Sequence, residues 1–260
     1  RYDRDMKPLQ YASVTGGTGD AVINGVFVHT FESLVVVGNF HGPSVDFAGL
    51  TSTGHGAGEH GFVAEVHAKT LAVTTIRVIN SNLGATVTCV TGDVGPSGQF
   101  AVGGAIGTAP EVDNTALGTV AGSANREAYV AIFSSAFAAT ALKSGGSLGE
   151  DEMVDIVYAG GGGKAIVYGI AKTGSGDVTW PGESATTGLA GDEHVTFLAL
   201  KEDVGGTGVW DATFSGTYSA TATGRPLYPV ALTPRMLVIN TMGTVDFGTN
   251  SVSATATTKF

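Results

Sequence analysis

One strand-like segment returns three times along this chain. A repeat limits the fold more than composition does, because each copy must find an equivalent place. The copies are Gly61-Phe62-Val63-Ala64-Glu65-Val66, Ala128-Tyr129-Val130-Ala131-Ile132-Phe133 and Thr196-Phe197-Leu198-Ala199-Leu200. Aligned on the aromatic, they are spaced 67 and then 68 residues apart. Each follows a short acidic turn: Gly58-Glu59-His60, Asn125-Arg126-Glu127 and Asp192-Glu193-His194.

A second element also recurs, in four copies. It reads Leu34-Val35-Val36-Val37-Gly38-Asn39-Phe40, then Phe100 to Ile106, Ala165 to Ile170 and Met236 to Asn240. A Gly/Ser/Thr turn and an aspartate follow every copy, giving Asp46, Asp113, Asp177 and Asp246. These aspartates read as turn residues that bond their own backbone. Two further β-like runs fill the second, third and fourth units: Leu71 to Ile79 and Ala85 to Val90, Phe137 to Leu142 and Met153 to Tyr158, Gly208 to Phe214 and Leu227 to Leu232. Gly, Asn, Ser or Pro bounds each run.

Four strands per unit and four units predict an all-β fold, a β-propeller of four blades with four antiparallel strands each. Residues 1–10 read as a tail and 11–260 as one propeller, with units of about 11–60, 61–127, 128–194 and 195–260. The first unit offers three strands, Leu9 to Val14, Ala21 to His29 and Leu34 to Phe40, while Val252 to Thr257 is left over at the other end. That complementarity predicts a first blade closed by the C-terminal strand, which removes the exposed edges of an open sheet.

The stretch Val35-Val36-Val37-Gly38-Asn39-Phe40 through Asp46-Phe47-Ala48-Gly49, followed by Gly61 to Val66, resembles the SBBP-type β-propeller repeat family. Gly243-Thr244-Val245-Asp246-Phe247-Gly248 repeats the same pattern. The resemblance implies a propeller fold and extracellular display, and it implies no catalytic residues. The family's Gly-Asp-Asp turn and Asp-x-x-Gly-Asn hairpin are poorly kept in this chain.

Composition fits such a protein. Hydrophobic residues make up 43%, charged residues 14%, and Gly accounts for 40 of 260 positions. Many Thr, Val and Gly with few charges favour short strands and tight turns over helices. The net charge of −10, with no basic stripe, argues against nucleic acid and anionic membrane as partners. The longest uncharged apolar stretch, Ala128 to Leu142, is shorter than the roughly 20 residues of a membrane helix. A chain opening on Arg1 with no apolar leader-like region is expected to have lost a leader or to begin inside a longer precursor.

Motif-like segments yield little chemistry. Gly145-Gly146-Ser147-Leu148-Gly149 fits the nucleophile-elbow spacing, but the acidic run after it leads into a β-like segment, so it reads as a turn. Gly160 to Lys164 lacks the first Gly and the final Ser/Thr of a phosphate loop, and reads as a hairpin loop. Cys89, the single cysteine, reads as a small buried apolar residue in a strand. His29, His41, His55, His60 and His67 crowd the first unit without a tetrahedral ligand spacing.

The acidic turns are the better lead. Asp151, Asp155, Asp192 and Glu193 are the candidate ligands for a hard cation, with calcium the one cofactor indicated. Trp180, before Pro181-Gly182, is the candidate sugar platform, and Trp210 reads as core. Two functions follow. The first is a non-enzymatic extracellular structural or adhesive module that assembles with copies of itself. The second is a lectin-like propeller that binds glycans.

Overall fold

The computed structural model describes residues 12–16, 20–54, 56–81, 87–95, 97–107, 109–113, 115–117, 119–120, 126–161, 164–174, 177–180, 194–202, 209–217, 228–233, 236–240, 243–247 and 250–254. These residues form strands and turns and no helix. A short strand, β1 (Val14–Gly16), leads into the first sheet, made of β2 (Ala21–Val28), β3 (Ser33–His41), β6 (Glu59–His67) and β7 (Val73–Ser81), with the hairpin β4 (Ser44–Phe47) and β5 (Leu50–Thr53) inserted after β3. The second sheet runs β8 (Thr91–Val94), β9 (Phe100–Ile106), β13 (Glu127–Phe133) and β14 (Ala139–Gly145), with β10 (Pro110–Val112), β11 (Thr115–Ala116) and β12 (Thr119–Val120) between its second and third strands. The third sheet is β15 (Glu152–Gly161), β16 (Lys164–Thr173), β17 (His194–Glu202) and β18 (Val209–Thr217). Two hairpins complete the fourth unit, β19 (Tyr228–Thr233) with β20 (Met236–Asn240), and β21 (Gly243–Phe247) with β22 (Asn250–Ala254).

The four main strands of each of these sheets pair antiparallel in chain order, with β10 and β11 added to the first sheet and β12, parallel to β14, added to the second. This corrects the expected grouping. The repeat was cut at its most recognisable strand, so its unit of 61–127 joins strands that belong to two sheets: β6 and β7 lie in the first, β8 and β9 in the second.

Val252 lies in β22 and pairs with Val245 of β21, and no pairing of β22 with the first sheet occurs among the described residues. The described sheets stay open, with no closed ring among the described residues. β1 also departs from expectation. It pairs with β4, Val14 opposite Phe47 and Gly16 opposite Val45, and stays out of the first sheet.

The Asp-bearing hairpins have a common task. β10 of the second unit joins the first sheet at its outer strand, Pro110 opposite Ser81 and Val112 opposite Ile79. Thr179 of the third unit pairs with Gly146, just past β14 of the second sheet. β21 of the fourth unit lies against β18 of the third sheet. The β10–β11 hairpin thus docks on β7, the segment at Thr179 bridges just past β14, and the β21–β22 hairpin lies against β18. In the first unit the β4–β5 hairpin pairs with β1.

Successive sheets stack through apolar faces. Side chains alternate across a strand, so one strand supplies two interfaces. On β13, Tyr129, Ala131 and Phe133 pack with Val35, Val37, Val63 and Ile79 of the first sheet. Ala128, Val130 and Ile132 pack with Met153, Ile156, Tyr158 and Val167 of the third. Cover on both sides explains why β3 and β13 read as unbroken apolar runs. Ala128 to Leu142 is therefore a stacked hairpin segment, and no helix of the described residues is long and apolar enough to cross a membrane.

Two glycines hold matching places. Gly38 lies opposite Phe62 and Gly104 opposite Tyr129. A Cβ on Gly38 would strike the Val22 carbonyl oxygen and the Phe62 ring; one on Gly104 would strike the Thr88 carbonyl. Backbone yields poorly to such a clash. Gly104→Ala is therefore expected to destabilise by about 1–3 kcal/mol. Urea midpoints would show it, and an unchanged midpoint would mean that strand spacing is not set by this glycine.

Candidate functional site

The densest polar cluster lies where the second sheet hands over to the third. β14 ends at Gly145, and the turn from Gly146 to Asp151 leads into β15. Gly146 and Thr179 exchange two backbone hydrogen bonds, at 3.0 and 2.7 Å. Asp151 closes the turn from inside. Its Oδ2 accepts from the Ser147 amide at 2.7 Å, and its Oδ1 accepts from the Ser147 hydroxyl at 2.9 Å and the Gly174 amide at 2.8 Å. The Gly149 amide donates to Ser147 Oγ at 3.0 Å. Gly146 is required here because a Cβ would strike Oδ2 of Asp151 and Oε2 of Glu127.

Arg126 borders this cluster. Its guanidinium lies 3.7 Å from Glu150 and 3.8 Å from Glu152. Thr88 donates to Glu152 Oε1 at 3.0 Å and accepts from the Ala105 amide at 3.0 Å, tying the second sheet to β15. Burial pushes the Asp151 carboxyl above the usual carboxylate range, against the lowering pull of the Ser147 and Gly174 donors. The neighbouring charge of Glu150 adds to the rise.

This geometry describes a joint. Ser147 is buried, bonded to Asp151 and flanked by two strands, so the elbow-like spacing is an inter-strand turn, as expected. Gly161 and Lys164 are paired ends of the β15–β16 hairpin, also as expected. Of the candidate cation ligands, Asp151 spends both oxygens on protein donors. Asp155, in β15, accepts from the Ile156 amide at 2.9 Å and lies 3.5 Å from the Thr91 hydroxyl. Asp192 and Glu193 lie outside the described residues, as does His55. Among the described residues no group of three or more His, Cys, Asp or Glu is placed to hold a metal.

Trp180 corrects the expectation of an exposed platform. It is 2% exposed and packs in the core between the second and third sheets, so its ring offers no open face. The local turn signal of Pro181-Gly182 concealed that Trp180 belongs to the inserted segment that docks on Gly146. The histidines are also dispersed. His60 is buried and tilted against Phe40 at 5.2 Å. His29 accepts or donates at Ser33 Oγ, 3.1 Å, and at the Gly98 carbonyl, 2.8 Å, with its edge toward Phe137.

Two of the repeated aspartates show different chemistry. Asp46 behaves as expected, accepting from the Gly49 amide at 3.1 Å and the Thr51 hydroxyl at 3.0 Å. Asp113 reaches across to the preceding unit. It accepts from the Val78 amide at 2.9 Å and from Arg77 at 2.8 Å, and its own amide donates to the Val78 carbonyl at 2.8 Å. Arg77 also donates to the Phe137 carbonyl at 2.9 Å. Sequence reasoning missed this clamp, although the recurring aspartate was its signal.

No protein-family model, no curated protein and no solved structure matches this chain.

Two outcomes test the site. The raised carboxyl means that the folded chain binds its proton more tightly than the unfolded chain. Asp151 therefore makes stability decline as pH rises from about 3.8 through the raised folded value. In urea titrations across that window, Asp151→Asn should flatten the decline relative to the parent; an identical slope would remove Asp151 as its source. Cys89 is buried, with its thiol pushed up to about 12 by burial against a smaller lowering pull from Tyr129. Maleimide should leave the native thiol unmodified and label it in denaturant. Rapid native labelling would show that the interface between the first two sheets opens.

Proposed function

We propose that this chain is a non-enzymatic structural module displayed outside the cell, built of propeller-type blades, which assembles with copies of itself. The observation that carries the proposal is the stack. The second sheet buries one face on the first sheet and the other on the third, and a dense polar cluster serves as a joint between sheets. Packing that repeats along a chain extends readily to another chain, because the same faces recur. Extracellular display rests on the likeness of Val35 to Gly49 and Gly243 to Gly248 to SBBP-type repeats.

A closed four-bladed ring is the compact form of the same design, with the fourth unit covering the first sheet. The open form leaves that cover to a neighbour. The glycan-binding alternative loses its platform with Trp180 in the core.

Negative-stain electron microscopy with sizing, with and without a calcium chelator, tests the reading. Regular filaments or layers are the expected result. Loss of these on chelation would assign a cation to the acidic turns. Uniform single-chain particles in both conditions would overturn self-assembly and favour the closed ring, and glycan screening would follow.

A further inference from the structure

The stack has a direction. The second sheet presents its aromatic face, with Tyr129 and Phe133, to its predecessor and its aliphatic face, with Val130 and Ile132, to its successor. In the first sheet Val63 faces the second sheet, as Val130 faces the third. Its aromatic face, with Phe40, Phe62, Ala64 and Val66, meets no preceding sheet among the described residues. It is covered in part by the small sheet of β1, β4 and β5 through Val45 and Phe47.

The cover reaches only the start of β2, an edge strand, at Ala21. Ile23, Val26 and Val28 pair with Gly38, Val36 and Leu34, which puts them on the aromatic face. They are 42%, 55% and 71% exposed, and Phe31 beyond them is 90% exposed. Single exposed apolar residues are ordinary, but a contiguous strip on one sheet face marks an interaction surface.

The internal interface indicates what covers such a strip. Val26 pairs with Val36 and Val28 with Leu34; at the matching places of the second sheet, Gly92 pairs with Val102 and Val94 with Phe100. Gly92 lies close to the Phe27 ring, and Val94 packs on the shared core, so both are covered by the preceding sheet. The strip is the same position with the preceding sheet absent. In the order of the stack, the fourth unit comes last among the described residues. Its strands β19 and β21 lie against β15 and β18 of the third sheet.

We infer that the strip Ile23, Val26, Val28 and Phe31 is the docking surface for the fourth unit of a second copy of this chain. The contact joins unlike faces, so it is head to tail, and repetition without closure gives a filament. The inference rests on the self-assembly reading and supplies its surface.

The test is mass as a function of concentration, by sedimentation or light scattering, for the full chain. The double variant Val26→Asp/Val28→Asp probes the strip. Val22→Asp is the control: Val22 is 54% exposed on the same strand but pairs with Asn39, on the opposite face. Circular dichroism confirms folding of each. The parent and V22D should grow in mass with concentration, while the double variant stays at the mass of one chain at tenfold higher concentration or more. Equal growth of the double variant would overturn the surface and leave self-assembly standing. Loss of growth in V22D as well would overturn the face assignment. A parent that stays at one-chain mass would overturn both the surface and the assembly.

Discussion

The architecture depends on the burial of apolar sheet faces against the next sheet. Phe100, Phe133 and Phe137 form the densest part of the first interface, with Phe100 and Phe133 stacked at 5.1 Å and Phe100 and Phe137 at 4.7 Å. A fully buried side chain of this size contributes about 1.5–3 kcal/mol, while an exposed ion pair contributes up to about 1 kcal/mol. A chain with 14% charged residues therefore gains its stability mainly from these faces. Polar groups are arranged to respect them. Asp113 with Arg77, and Asp151 with Ser147 and Gly174, lock the handover points between units.

Stacking also explains the strained and crowded positions. Gly103 accepts no side chain because Ile156 and Met153 of the third sheet press on it. Ala48, Leu71, Ala109, Asp113 and Phe137 adopt positive φ at turns, a conformation that costs non-glycine residues energy. Phe137 does so at φ 60 while its ring fills the core against His29 and Phe100. Packing of one large ring outweighs the local backbone cost.

Strand content was legible in the sequence because the pattern is local. The runs at Leu34 to Phe40, Ala128 to Phe133 and Met153 to Tyr158 are strands within a few residues of where turn residues bound them. The hairpin around Gly160 to Lys164 and the turn role of Asp46 were legible for the same reason. The docking hairpins were not. Thr, Ser and Gly in Ser44 to Thr53 carry the composition of a loop, and only pairing with another strand makes them β. Trp180 was misplaced because its flanking turn signals report local geometry and say nothing of the neighbouring sheet that buries it.

By itself the sequence determined the repeat, the all-β class and the net acidic charge. Those follow from period, β-branched residues and charge, which need no partner in space. Tertiary structure decided how strands group into sheets, which face of each strand meets which neighbour, and that Asp113 clamps across units while Asp46 bonds within its own. It also decided that Val28 is left open where Val94, its counterpart, is covered. Two positions of one repeat register differ only in whether a preceding sheet stands beside them, and that information lies in the arrangement of the sheets.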